Sequence, residues 1–175
     1  VSAVLTARRL GCNPDQIRQG LKSFQPSEHR GQLINVGNIQ LFDDCYNSNP
    51  ESLVTSATAV KQMSNGRTIA IVGEMAELGD ESKSIHNSTG HQLYKTGIDV
   101  LIGVGKMAEH LVSGFSSAGG EAFNCSDCNQ AATWILKHRI NKDLILIKGS
   151  RSAKMELVIS RYLFLVAEEQ SGVSK

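Results

Sequence analysis

The sequence predicts a three-layer α/β sandwich around a mostly parallel sheet, opened by a β-hairpin. Three observations carry that expectation. Short apolar runs rich in β-branched residues recur without polar alternation, as in Thr68-Ile69-Ala70-Ile71-Val72 and Leu144-Ile145-Leu146-Ile147, and such runs belong to strands covered on both faces. Helix-length stretches separate nearly all of these runs, so the connections are crossovers and the strands mostly parallel. With 175 residues, 41% apolar and 20% charged, the composition is that of a globular chain of roughly one domain plus a remainder, at about 150 residues per domain.

Residues 3–11 read as a helix stopped by Gly11, which suits a left-handed cap. Asn13 then caps a second helix, with Pro14 at its first position and Ile17, Leu21 and Phe24 forming one apolar stripe. Two such helices cannot enclose a core of their own. Residues 25–31 lack periodicity and carry breakers at both ends, marking a hinge or domain boundary. The pattern then changes to period two. Residues 33–36, a Gly37-Asn38 turn and residues 39–42 spell a hairpin. After it follow helix 51–64, strand 68–72, helix 81–96, strand 100–104, helix 106–116, a short strand 121–123, helix 127–138, strand 144–147 and helix 153–168. The order is that of a Rossmann-like sandwich.

Lys and Arg number 18 against 17 Asp and Glu, so no chain-wide field favours nucleic acid or an anionic membrane, and any anion site is local. No apolar run approaches the roughly 20 residues of a membrane helix and the opening lacks a signal-peptide layout, so a cytoplasmic protein is the expectation. The four cysteines stand in unlike contexts and are expected as reduced thiols. Cys125 and Cys128 form a CxxC without a second pair to complete a zinc site, so no metal is expected on this chain.

In an open parallel sheet, ligands collect at the carboxyl ends of strands. Three loops there are informative. Residues 43–50, Asp43-Asp44-Cys45-Tyr46-Asn47-Ser48-Asn49-Pro50, pack two carboxylates, a phenol and carboxamides between a strand and a helix. Residues 73–80 hold Glu74, Glu77 and Asp80 in a glycine-bracketed loop. Lys148-Gly149-Ser150-Arg151-Ser152 places cations and hydroxyls at a helix start suited to a carboxylate or other anion. Each is also readable structurally: Asp43 or Asp44 as a cap of the helix entering at Pro50, Asn47 and Asn49 as makers of turn bonds, the acidic loop as a solvated turn, the cationic loop as a helix start. His86, His91 and His110 read as solvated or capping residues. Gly103-Val104-Gly105 is not a dinucleotide fingerprint, and no phosphate loop of the GxxxxGK[ST] kind occurs.

These three loops, in this order and with His86 and Met155-Glu156, closely resemble the C-terminal domain of the Mur ligase family, among the members that join D-alanyl-D-alanine to a UDP-N-acetylmuramoyl-tripeptide. The resemblance covers about residues 27–165. Glu74 is a departure, standing where many relatives carry Asp, and it keeps the charge while altering its reach.

What the resemblance implies is a lid domain over residues 27–175 of an ATP-dependent, ADP-forming amide ligase of peptidoglycan synthesis, preceded by residues 1–26 as the last helices of a truncated central ATPase domain. ATP and Mg would be held mainly by that central domain, and the chain alone would be an inactive monomer. By matching position, Arg30 resembles a hinge arginine that meets nucleotide phosphates, and Asp44 an acceptor for ribose hydroxyls. Asn47 and Asn49 would shape the loop beside ATP, with Tyr46 next to the substrate. Lys148, Ser150 and Arg151 look like a clamp on the dipeptide carboxylate, and Glu74 and Glu77 would orient the attacking amine. Two other readings stand beside it. One is the lid of a folylpolyglutamate synthetase-like ligase; the other is a free-standing regulatory module binding a nucleotide or amino acid.

Overall fold

A computed structural model describes residues 2–172. Six strands form one sheet in the order β1-β2-β6-β3-β4-β5. The strands β1 (Gln32–Val36) and β2 (Ile39–Asp44) are the antiparallel hairpin, Val36 opposite Ile39 across the Gly37-Asn38 turn. The remaining strands, β3 (Thr68–Val72), β4 (Val100–Val104), β5 (Glu121–Cys125) and β6 (Leu144–Lys148), run parallel to β2. The sheet is therefore mostly parallel, as expected, with its last strand β6 inserted between β2 and β3.

Period-two alternation distributes the strand residues between two cores. Ile69, Ile71, Ile145 and Ile147 face α6 (Cys128–His138) and α7 (Glu156–Gln170). Ala70, Val72, Leu144 and Leu146 face α3 (Pro50–Met63), α4 (Ser82–Lys95) and α5 (Ala108–Ser117). Every residue of β3, β4 and β6 is buried, which is why these strands read as unbroken apolar runs.

The first two helices, α1 (Ser2–Arg9) and α2 (Pro14–Ser23), bury no residue, and Leu21 and Phe24 are 57% and 68% exposed. One expectation needs correction: the cationic loop does not enter a helix directly. A 3-10 turn at Arg151–Ala153 and a left-handed Lys154 intervene, and α7 begins only at Glu156. Ser150 consequently lies outside any α-helix N-terminus, and its N–H donates instead to Glu74 O.

Candidate ligand-binding edge

The β2 and β6 termini place Asp44 and Lys148 directly opposite one another in the parallel register. Both lie on the α3 side, following Phe42 and Leu146 at period two. The Lys148 ammonium donates to Asp44 Oδ2 at 2.6 Å and to Asn47 O at 2.9 Å. Ser56 on α3 donates to the same Asp44 oxygen at 2.7 Å. Lys148 is nearly fully buried and Asp44 half-buried, so the pair is charge-assisted and poorly screened. Asp44 Oδ1 has no partner among the described residues, leaving one carboxylate oxygen able to accept from a ligand hydroxyl. Asp43 turns to the opposite face. It is buried, accepts from Cys45 N, and pairs through Oδ2 with His29 Nδ1 at 2.8 Å.

Asn49 caps α3: its side chain accepts from Ser52 N, and Ser52 Oγ receives the Asn49 N–H in return, with Pro50 at the first helical position. The cap is thus neither Asp43 nor Asp44. Asn47 and Tyr46 are exposed on the same loop, and the Arg30 guanidinium stacks over the Tyr46 ring at 3.7 Å from its centroid. The Tyr46 N–H donates to His29 O, so residues 29 and 30 are tied to the β2–α3 loop at two places, both on Tyr46, and to the end of β2 at Asp43. His29 and Gly31 flank Arg30 with φ of 59° and 70°, the left-handed conformation that turns the chain there.

The loops after β3 and β6 interlock. Gly73 N donates to Lys148 O, Ser150 N to Glu74 O, and Ser152 Oγ to Glu74 Oε1 at 3.0 Å. This contact requires Gly73 and Gly149: a Cβ on Gly73 would stand 2.7 Å from Met155 Sδ, and one on Gly149 would stand 2.6 Å from Met155 Cγ. His86, expected at the surface or in a capping role, is instead completely buried. Its Nε2 accepts from Met75 N at 2.9 Å while Nδ1 lies 2.7 Å from Ser82 O, which sets the proton on Nδ1 and fixes the loop carrying Glu74. Glu77 is exposed on that loop with φ 63°.

Ser150 is buried against Ser152 Oγ at 2.9 Å, whereas Arg151 is exposed and donates to Glu156 Oε1 at 2.9 Å. Glu156 Oε2 remains buried without a partner among the described residues. Beneath these loops Cys45 donates to Ile147 O, and burial together with the Asp43 carboxylate pushes its thiol far above the ordinary range. All four cysteines are free. Among the described residues no three acidic, His or Cys side chains converge as a metal site, and no helix is long and apolar enough to cross a membrane. The residues that sequence reasoning did not single out are Ser56 and His29, with the inward role of His86. Period two puts Asp44 and Lys148 each on the α3 face of its own strand, but their pairing depends on β6 lying beside β2.

An open α/β sheet with polar loops bonded to one another at its carboxyl edge defines a domain of the doubly wound class, in which ligands as a rule collect at that edge. The chain belongs to the Mur ligase family, whose glutamate ligase domain matches residues 29–151, and it carries that family's C-terminal domain. The chain is 33% identical over 160 residues to the UDP-N-acetylmuramoyl-tripeptide–D-alanyl-D-alanine ligase of Escherichia coli strain K12, covering 91% of this chain and 35% of that protein. The same ligase of Buchnera aphidicola is 32% identical over 133 residues, covering 76% and 29%. The chain thus spans about a third of the length of these curated relatives. A crystal structure of MurF from Acinetobacter baumannii superposes with a TM-score of 0.77 at 28% identity, covering 93% of this chain and 36% of that one. MurF from Thermotoga maritima in complex with ADP shares the fold at a TM-score of 0.77 and 24% identity, covering 95% and 37%.

Proposed function

We propose that this chain is the lid of an ATP-dependent ligase that joins D-alanyl-D-alanine to a UDP-N-acetylmuramoyl-tripeptide by way of an acyl phosphate. The observation that carries the reading is the mutual bonding of three loops at one sheet edge, Asp44 to Lys148 and Glu74 to Ser150 and Ser152. Such a surface is preorganised for closing over reactants, which keeps an acyl phosphate from water and orients the amine.

Within it, Arg30 meets the nucleotide phosphates, its guanidinium held flat by Tyr46. Asp44 fits a ribose hydroxyl because Lys148 and Ser56 occupy only Oδ2. Asn47 and Asn49 shape that loop, Asn49 through its cap of α3 and Asn47 through the carbonyl held by Lys148. Lys148 therefore serves the site through Asp44, and the exposed Arg151, beside the buried Ser150, bears on the dipeptide carboxylate. Glu74, and Glu77 on the same loop, face the attacking amine. ATP supplies the activating phosphoryl group and Mg its charge neutralisation, both held mainly by residues that precede this domain. A cytoplasmic, monomeric ligase is the reading that follows, with residues 1–26 closing the central ATPase domain.

The test is phosphate release with ATP, Mg, the tripeptide nucleotide and D-alanyl-D-alanine. A ligase bearing this chain as its C-terminal third turns over, and the chain alone does not. Turnover by the chain alone overturns the lid assignment.

A further inference from the structure

The chain approaches β1 through a turn over residues 27–30, closed by the Arg30 N–H donating to Ser27 O. His29 holds the third position of that turn with φ of 59°. Glycine adopts this conformation freely whereas a residue with a Cβ is strained in it, so the turn by itself does not account for an imidazole. The contacts of the ring do. Nδ1 lies 2.8 Å from Asp43 Oδ2, and because a carboxylate only accepts, Nδ1 carries the proton and donates it. Asp43 is buried near the end of β2, its other oxygen accepting from Cys45 N. On the far side of the ring, Nε2 stands 3.8 Å from the exposed Glu28, a contact that solvent screens. Asp43 is therefore the anchor.

The main chain of the same residue is held as well, His29 O accepting from Tyr46 N. Arg30, next along, has a side chain with no hydrogen-bond or ion-pair partner among the described residues, yet its guanidinium stands 3.7 Å from the centroid of the Tyr46 ring. A stacked guanidinium without a carboxylate keeps its planar fork of donors open to an anion. Asp43 and Tyr46 belong to β2 and to the loop that follows it, so the supports of Arg30 travel with the sheet domain.

We propose that His29 is a positioning residue for Arg30: tied to Asp43, it fixes the left-handed turn in the orientation that lays the Arg30 guanidinium on Tyr46 before any anion arrives. A free arginine side chain loses much rotamer freedom when it is captured by a ligand, and one already placed loses less. Affinity is gained without a contact between His29 and the ligand. That the anion is a nucleotide phosphate rests on the ligase reading; the placing of the guanidinium does not.

The experiment has two arms. In the 175-residue chain, the side-chain proton shifts of Arg30 report its place over Tyr46, whose ring current moves them upfield. His29→Gly, which frees φ and removes the imidazole, should return those shifts toward random-coil values while the amide shifts of β3 and β6 stay in place. His29→Asn, shorter than the ring and tolerant of the same φ, should do likewise, and Tyr46→Phe should keep the upfield shift. In the ligase, His29→Gly should raise the Michaelis constant for ATP by about twofold to tenfold, the range set by immobilising one long side chain. The same change should add nothing where Arg30 is already Ala, because a residue acting through Arg30 cannot act without it. Arg30 shifts that survive both His29 variants, or an equal effect of His29→Gly on the ATP constant with Arg30 present and absent, overturn the positioning role. Failure of the ligase reading looks different: an enzyme bearing this chain that forms no amide bond loses that reading, while loss of the Arg30 shifts in the His29 variants still upholds the placement.

Discussion

Lys148 Nζ and Asp44 Oδ2 lie 2.6 Å apart at the ends of adjacent parallel strands, and the same ammonium holds Asn47 O. One buried cation thus fixes both the carboxylate offered to a ligand and the backbone of the loop around it. Removing one partner of a buried pair costs about 3–5 kcal/mol, and here the lower figure applies because Asp44 keeps a fifth of its side-chain surface. Lys148→Met and Asp44→Asn should each destabilise the chain in urea unfolding. The double variant should lose less than the sum, and strict additivity would show that the pair is not coupled.

Arg151 separates binding from stability. Its pair with Glu156 is exposed on the arginine side and worth little to the fold. In the ligase, Arg151→Ala should raise the Michaelis constant for D-alanyl-D-alanine by at least about tenfold while those for ATP and the tripeptide nucleotide and the melting temperature stay near their original values. An unchanged dipeptide constant removes Arg151 from the site.

His86 holds the Glu74 loop from below. His86→Leu fills the space and strands the Met75 N–H, at a cost of about 1–3 kcal/mol. Hydrogen exchange at Met75 should accelerate well beyond that at Val72 in the neighbouring strand. Equal acceleration at both would mean that the substitution loosens the whole domain rather than the loop.

Asp99 gives the fold an acid limit. Burial raises its carboxyl, but bonds from the Thr68 hydroxyl and N–H and from Lys61 outweigh that and hold it below its ordinary value of 3.8. A carboxyl lowered by folding contributes stability above its unfolded value, and that contribution fades as pH falls through the folded value. Asp99→Asn should therefore flatten the loss of stability below about pH 4, measured by denaturant midpoints across acid pH. A variant with the parent's acid profile would remove Asp99 as a cause.

Cys125 and Cys128 should prove dispensable. Burial raises both thiols and their reactivity falls with it. Changing both to Ser should preserve the fold, the native thiols should alkylate slowly, and elemental analysis should find no zinc. Stoichiometric zinc would establish a metal site.

The sequence by itself determined the strands. Their β-branched runs are unbroken because both faces are buried, so strands 68–72 and 100–104 are legible to the residue. It also determined that the polar loops follow strands, because crossovers return every connection to the same edge. Tertiary structure alone decided which of those polar groups remain available. Lys148 and Arg151 read alike along the chain, yet β6 lies between β2 and β3, and that insertion sets Lys148 against Asp44 at a separation of 104 residues. His86 likewise looks like any helical histidine until the loop before α4 folds back and offers it the Met75 N–H. Charge pairing and burial are properties of neighbours across the sheet, and no local pattern records which strand lies beside which.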